Sequence, residues 1–211
     1  MTLGSISSQA MKQKLSQALS RRQKQRIVDP SRSPAAVLIP IYHKEGQYYI
    51  LFIKRTETVK YHKGQISFPG GAYEKDDQTL LNTALRETAE EVGLMVDKVE
   101  VLGELDDFVT FTSNYIVSPF AAFASPPYHF QADHKEVERI VEVPIPALLE
   151  EGSLHEESEV IDGKPIAAFF YHYQDVVIWG VTAQILNQFL EILEWSLELN
   201  KGYSAPPKLK S

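Results

Sequence analysis

The stretch that decides the fold of this chain is residues 70–94, which read GGAYEKDDQTLLNTALRETAEEVGL. Its second half has the composition and apolar spacing of a helix over about residues 79–92. Asp77 or Thr79 is the expected N-cap. Gly93 follows the last acidic pair and is expected to end the helix as a left-handed residue. The segment therefore predicts a glycine pair, a short acidic loop and one helix.

Three carboxylates of this helix are predicted to share one face, because they stand at i, i+3 and i+4: Glu87, Glu90 and Glu91. Like charges at these spacings repel. A glutamate-rich face is often only solvated surface. Here the upstream glycine pair permits close backbone approach, which favours a binding site. With no Cys or His beside the carboxylates, the pattern favours a hard divalent cation, Mg²⁺ or Mn²⁺.

The composition excludes several classes of protein. The chain has 211 residues, 44% of them hydrophobic, a net charge of −7 and no Cys. Disulfides, thiolate nucleophiles and Cys-ligated zinc are therefore impossible, and a cytoplasmic location is expected. The negative charge argues against general nucleic-acid binding. No apolar run approaches the roughly 20 residues of a membrane span.

Residues 1–28 differ from the rest of the chain because they contain six basic residues and no acidic one. Apolar residues recur there at helical spacing. We predict a basic helical extension over 1–28 that packs on an acidic body. A mitochondrial transit peptide has the same features and is the alternative. The remaining boundaries are a domain over 35–199 and a flexible tail over 200–211.

Strands outnumber helices in the rest of the chain, which predicts an α+β class with a mixed sheet. The last long helix is expected over 181–199, with Thr182 as its N-cap and Trp195 in the core. A short helix is expected near 147–150. Strands are predicted over residues 35–42, 48–54, 65–68, 99–105, 116–124 with an interruption near Pro119, 138–143, and a hairpin of 159–161 with 165–173.

The acidic helix resembles the second half of the Nudix box, through Arg86, Glu87, Glu90, Glu91, Gly93 and Leu94. That box is a Gly, five residues, a Glu, seven residues, and then Arg-Glu-aliphatic-any-Glu-Glu-any-Gly-aliphatic. The interval from Gly71 to Arg86 is one residue longer here. The box Glu falls on Asp77 when counted forward and on Gln78 when counted back. Thr88 replaces the usual aliphatic residue. The departures leave open which backbone carbonyl assists the metal.

A second resemblance is to the coenzyme A pyrophosphatase branch of this family. Its signature is similar to LFIKRT at 51–56 and KYHKGQISFPGG at 60–71, with Lys60 where Arg is common. Further matches are LGELDDF at 102–108, VSPF at 117–120, Glu136-Val137 and IWGVTA at 178–183. The resemblance covers roughly residues 35–195. It implies the Nudix fold, a mixed β-sheet sandwiched between helices.

The resemblance implies metal-dependent hydrolysis of coenzyme A or acyl-coenzyme A to 3′,5′-ADP and (acyl-)4′-phosphopantetheine. Mg²⁺ or Mn²⁺ is expected on the three helix glutamates and the Gly71 carbonyl. Arg86 is expected to orient a carboxylate. The candidate substrate-binding residues are Arg55, Lys60, His62 and Gly70.

Other assignments stay open at this point. Glu136 is a candidate general base, against the alternative of a solvated loop acid. Phe108, Phe111 and Tyr115 are expected to line a pocket or else to belong to the core. The rival functions are Nudix hydrolysis of ADP-ribose, a dinucleotide or a nucleotide sugar, and a non-catalytic nucleotide-binding module. The expected partner is a small nucleotide of the coenzyme A class, and a homodimer is an open alternative.

Overall fold

The computed structural model describes residues 3–57, 63–110, 112–161 and 164–198. Short 3-10 turns lie at Leu3–Ser5, Lys75–Asp77 and Val96–Lys98. The helices are α1 Ser8–Ser20, α2 Leu80–Val92, α3 Ile145–Leu148 and α4 Gly180–Glu198. The strands are β1 Ser33–Lys44, β2 Gln47–Arg55, β3 Ile66–Ser67, β4 Gly70–Ala72, β5 Val99–Glu104, β6 Phe108–Val109, β7 Tyr115–Ala124, β8 Val137–Pro144, β9 Leu154–Ile161, β10 Lys164–Tyr173 and β11 Val176–Ile178.

The main sheet has eight strands and β1 lies at its centre. Strand order is β3-β2-β1-β7-β5, with β4 beside β1, β6 beside β7 and β8 beside β2. Strands β1 and β7 pair in parallel, and the other pairs in this sheet are antiparallel. Because both faces of β1 are covered, it reads as an almost continuous apolar run.

Helices cover both faces of this sheet. Helix α2 packs Ala84 and Leu85 against Ala36 and Leu38 of β1. Helices α1 and α4 pack against each other, and both contribute to the main core cluster, which includes Ile39 of β1. Successive β1 side chains alternate between the two faces. The predicted α+β class, with a mixed sheet between helices, is confirmed.

A second sheet of three antiparallel strands, β11-β10-β9, lies beside the main sheet. Phe169 and Tyr171 of β10 are buried in the main core cluster. Helix α4 packs on β10 and carries most of its buried side chains into the same cluster. Trp195 is buried there, as the helical spacing predicted. This arrangement places β10 and the start of α4 beside the open edge of the main sheet.

The basic N-terminal segment lies against acidic residues of the body. Helix α1 buries its apolar side chains in the main core cluster: Met11, Leu15, Ala18 and Leu19. After α1 the chain runs without regular structure, and Arg22 donates to Asp106 at 3.0 Å, with both side chains buried. Lys24 lies 2.9 Å from a carboxylate oxygen of Asp107. Within the described ranges, no helix is both long and apolar enough to span a bilayer.

Several local predictions are corrected. Pro119 does not interrupt β7. Strand β6 pairs with residues 116–117 and β5 with residues 120–124, so Pro119 lies between the two paired stretches, where no ladder hydrogen bond needs its N–H. Thr182 is not the N-cap of α4, which begins two residues earlier at Gly180. The glycine pair lies in strand β4, which was not predicted as a strand, and neither were β6 and β11. The predicted tail over 200–211 falls outside the described residues.

Candidate active site

Helix α2 has the predicted bounds and cap. The Thr79 hydroxyl accepts a hydrogen bond from the Asn82 backbone at 3.1 Å. Gly93 has φ 69°, which ends the helix in the left-handed region. Thr88 is buried, and its hydroxyl donates to the Ala84 carbonyl at 2.6 Å. A threonine therefore replaces an aliphatic residue here without leaving a buried hydroxyl unpaired.

The glycine pair lets the sheet approach the acidic helix closely. Gly70 pairs with Val37 of β1 and has φ 151°, and a Cβ there would lie 2.3 Å from the Ala36 carbonyl oxygen. A Cβ on Gly71 would lie 2.4 Å from the Glu87 carboxylate carbon. The Gly70 N–H donates to Glu91 Oε2 at 2.9 Å. Strand β4 thus holds two of the three helix carboxylates against its backbone.

The three carboxylates differ in exposure. The Glu91 side chain is 6% exposed, that of Glu87 is 18% exposed and that of Glu90 is 60% exposed. Burial raises the pKa of Glu91 to about 8, although the Gly70 hydrogen bond and the Arg55 charge oppose this shift. Burial also raises the pKa of Glu87. A nearby cation would stabilise the charged forms of both groups.

Asp77 anchors the arginine of this helix. Arg86 Nε donates to Asp77 Oδ1 at 2.7 Å, and Arg86 Nη2 donates to Oδ2 at 3.1 Å. These charge-assisted hydrogen bonds hold the pKa of Asp77 well below its usual range. Gln78 is exposed, with φ 64°. Of the two positions left open for the box acid, the structure therefore selects Asp77, and Gln78 lies in the turn.

From this anchor, Arg86 also reaches the acidic face. Its Nη1 lies 2.9 Å from Glu87 Oε1 and 3.1 Å from Glu90 Oε2. The predicted orienting contact to Glu90 is therefore present. The contact to Asp77 bridges nine positions and depends on the turn at residues 75–77, so helix spacing alone did not reveal it.

Arg55 lies between Glu91 and Glu136. The pairing of β2 with β8 changes register between Lys54 and Arg55 and places Arg55 opposite Val137. Arg55 Nη1 lies 3.4 Å from Glu91 Oε1, and Nη2 lies 3.9 Å from Glu136 Oε2. The sequence predicted Arg55 as a substrate-binding residue, and it did not reveal these contacts because they join three distant segments.

A cavity of about 730 Å³ lies beside the acidic helix and strand β4. Its lining includes Arg55, Gly70, Gly71, Glu87 and Glu136, together with residues of β7, β10 and the start of α4. Tyr115 lines it, as one alternative predicted, whereas β6 pairing places Phe108 opposite Val117, packed against the core. The contribution of β10 and α4 was not predicted, although the match at 178–183 pointed to that region. Lys60, His62 and Phe111 fall outside the described residues.

The available donor atoms are oxygens, which are the ligands that a hard divalent cation prefers. They are the carboxylates of Glu87, Glu90 and Glu91 and the Gly71 carbonyl, and Mg²⁺ prefers oxygen ligands. In the described parts of the chain, no three acidic or histidine side chains already converge on one point. In this arrangement Arg86 contacts Glu87 and Glu90, and Arg55 contacts Glu91. Binding an ion would require these carboxylates to turn toward it.

Residues 32–167 match the model of the NUDIX domain family. The chain belongs to the Nudix hydrolase family, whose members hydrolyse pyrophosphate bonds in nucleoside diphosphate derivatives with the help of a divalent metal.

Relatives and a solved structure agree with this assignment. The chain is 36% identical over 166 residues to the uncharacterized Nudix hydrolase NudL of Photorhabdus laumondii, covering 79% of this chain and 87% of that one. It is 35% identical over 154 residues to NudL of Klebsiella pneumoniae, covering 73% and 79%. A MutT/nudix family protein from Enterococcus faecalis matches with a TM-score of 0.55 and 14% identity, covering 92% of this chain and 75% of that one, which supports the fold alone.

Proposed function

We propose that this protein hydrolyses the pyrophosphate of coenzyme A or acyl-coenzyme A, releasing 3′,5′-ADP and (acyl-)4′-phosphopantetheine. One observation carries the proposal. The stretch 51–71, which is similar to the coenzyme A pyrophosphatase signature, contributes Arg55, Gln65, Ser67 and Gly70 to the cavity that also holds Glu87. The residues that suggest the substrate therefore line the same cavity as one of the glutamates that suggest the chemistry.

The acidic face of α2 is the proposed metal site. Glu87, Glu90, Glu91 and the Gly71 carbonyl would hold Mg²⁺ or Mn²⁺. When bound, such an ion neutralises pyrophosphate charge and lowers the pKa of a water. The chain itself supplies position: Asp77 fixes Arg86, and β4 keeps Glu87 and Glu91 against the sheet.

Glu136 is the proposed acceptor of the proton. It lines the cavity, and its charge contributes to the raised pKa values of both Glu87 and Glu91, so it lies near the acidic face. In the reaction, the oxygen of a water forms a bond to phosphorus and the bridging P–O bond breaks. The proton of that water passes to the Glu136 carboxylate, and the released phosphate leaves as an anion. Arg55 Nη2, 3.9 Å from Glu136, holds that carboxylate near the site.

Arg55 is also the proposed contact to a substrate phosphate. Its Nε is buried and has no hydrogen-bond partner within the described ranges. Because Arg55 also lines the cavity, its guanidinium is placed to pair with a phosphate oxygen. Lys60 and His62 remain substrate-binding predictions from the sequence.

A substrate panel tests the proposed function. The purified protein is incubated with coenzyme A, an acyl-coenzyme A, ADP-ribose and a diadenosine polyphosphate, each with Mg²⁺ and with Mn²⁺, and products are identified by mass. We expect 3′,5′-ADP and the matching phosphopantetheine to form fastest. Faster cleavage of ADP-ribose or of the dinucleotide would contradict the assignment.

The variant Glu90→Gln tests the proposed metal site by removing the charge of one carboxylate. Because this side chain is 60% exposed, the fold should be unaffected. We expect kcat to fall at least about 100-fold through loss of a charged ligand. Glu150→Gln changes another exposed glutamate, outside the cavity lining, and should leave kcat unchanged. Equal activity of both variants would remove the metal-site assignment.

Three further proposals come from the sequence. A cytoplasmic location, compatible with the absence of Cys, is tested by cell fractionation. A homodimer is tested by light scattering. The division into a basic extension over 1–28, a hydrolase domain over 35–199 and a tail over 200–211 is tested by limited proteolysis.

A further inference from the structure

Part of the cavity is apolar and does not take part in the proposed chemistry. We call it the apolar wing and define it by Val117 of β7, Ala167 and Phe169 of β10, and Val181 and Ile185 of α4. Val117, Phe169 and Ile185 are buried in the main core cluster, and the other two pack against it. The wing is therefore a rigid apolar surface.

The wing lies in the same cavity as the glycine strand β4 but at some distance from it. Strand β4 pairs with β1, β1 with β7, and β7 with β6. Ala35 of β1 pairs with Ala72 of β4 on one side and with Val117 of β7 on the other, so at about 4.8 Å between neighbouring strands Val117 lies roughly 10 Å from β4. Val117 and Gly71 both line the same cavity. One ligand can thus reach from the acidic helix into the wing.

The wing offers little hydrogen bonding to a nucleobase. Its core residues have no polar side-chain atoms. The Thr110 hydroxyl, also on the lining, accepts from the Tyr115 N–H at 2.7 Å and from the Ser113 hydroxyl at 3.0 Å, and donates to the Tyr115 carbonyl at 3.3 Å. A hydroxyl has one donor and two acceptor sites, so all three are occupied. A purine placed here would leave its ring nitrogens and exocyclic groups without these partners.

We propose that the apolar wing binds the aliphatic acyl chain of an acyl-pantetheine substrate. The inference rests on the proposed function for the position of the pyrophosphate. Trp179 lies at the same cavity and is 46% exposed. An aliphatic chain entering the wing would cover such apolar surface, which is the main source of affinity for an apolar group.

Binding without the pyrophosphate tests the wing independently of catalysis. Decanoyl-pantetheine and pantetheine are titrated into the full chain without metal, by calorimetry and by intrinsic tryptophan fluorescence. We expect decanoyl-pantetheine to bind at least about 10-fold more tightly. Val181→Phe, which fills the wing while keeping it apolar, should remove most of this difference. Val177→Phe changes an exposed valine of β11 outside the cavity lining and should retain it.

Ala167→Leu repeats the test from the β10 wall, so that the inference does not depend on the stability of one variant. Thermal unfolding identifies any variant that fails to fold. The inference is overturned if decanoyl-pantetheine binds no more tightly than pantetheine, or if Val181→Phe and Val177→Phe change the ratio equally. If the ratio behaves as expected but no coenzyme A ester is hydrolysed with Mg²⁺, the proposed function fails and the apolar binding site stands.

Discussion

Replacing Asp77 with asparagine tests how far the acidic helix depends on one buried anchor. The Asp77 side chain is 4% exposed and accepts hydrogen bonds from Arg86 Nε and Nη2, from the Thr83 hydroxyl at 2.8 Å and from the Glu74 N–H at 2.8 Å. Asparagine keeps the shape but loses the charge and one acceptor oxygen. Its NH₂ group would then face a donor.

The expected loss in the free energy of unfolding depends on how deeply the ion pair of Asp77 and Arg86 is buried. Removing one partner of a fully buried ion pair costs about 3–5 kcal/mol. Because the Arg86 side chain is 27% exposed, water can partly replace the lost acceptor. We therefore expect Asp77→Asn to lower the free energy of unfolding by about 2–4 kcal/mol, measured by urea denaturation.

Asp76→Asn is the matched control, because the neighbouring carboxylate is exposed. It should change the free energy of unfolding by less than about 0.5 kcal/mol. A loss below about 1 kcal/mol for Asp77→Asn, or equal losses for the two variants, would refute the anchor. In the folded fraction kcat should also fall, by about 10-fold or more, since Arg86 contacts Glu87 and Glu90.

The pH dependence of this loss has a defined sign. Arg86 holds the pKa of Asp77 below its unfolded value of about 4. A carboxyl with a lowered folded pKa stabilises the fold above the unfolded pKa, and this contribution disappears as the pH falls through the folded pKa. The difference between wild type and Asp77→Asn should therefore be constant above about pH 5 and shrink below about pH 4. A difference that grows on acidification would contradict this origin.

Three other changes probe the site and its support. Burial raises the pKa of Glu91 to about 8 in the folded, metal-free protein. The contribution of Glu91 to stability is therefore fully present below the pKa of the unfolded state and is lost as the pH rises through about 8. Glu91→Gln should remove this loss, so its melting temperature should exceed that of wild type at pH 9 but not at pH 4. Gly71→Ala places a Cβ 2.4 Å from the Glu87 carboxylate carbon, a flexible group; we expect a melting temperature within about 3 °C of wild type but a kcat lowered at least about 10-fold. Asp106→Asn breaks the buried pair with Arg22 and should lower the free energy of unfolding by about 3 kcal/mol in urea, whereas an unchanged value would mean that the N-terminal segment is not held by this contact.

The charge distribution already indicated one long-range feature. Residues 1–28 carry only basic charges, whereas the body is acidic, and in the structure Lys12, Arg22 and Lys24 lie against carboxylates of β5 and the loop after it. Composition could not identify the partners. Asp106 is singled out because it is buried and also accepts from Gln188 of α4 at 2.8 Å, a contact between segments 82 positions apart.

Apart from this charge distribution, what the sequence alone determined lies within a single helix or a single strand. Glu87, Glu90 and Glu91 share a face because helix geometry relates residues three and four apart, and Thr79 and Gly93 bound that helix through local backbone chemistry. Only the tertiary structure decided that Asp77 anchors the helix, that β2 and β8 bring Arg55 and Glu136 to Glu91, and that β10 and α4 line the cavity. Those contacts depend on strand register and on packing between distant segments, which local residue spacing does not specify.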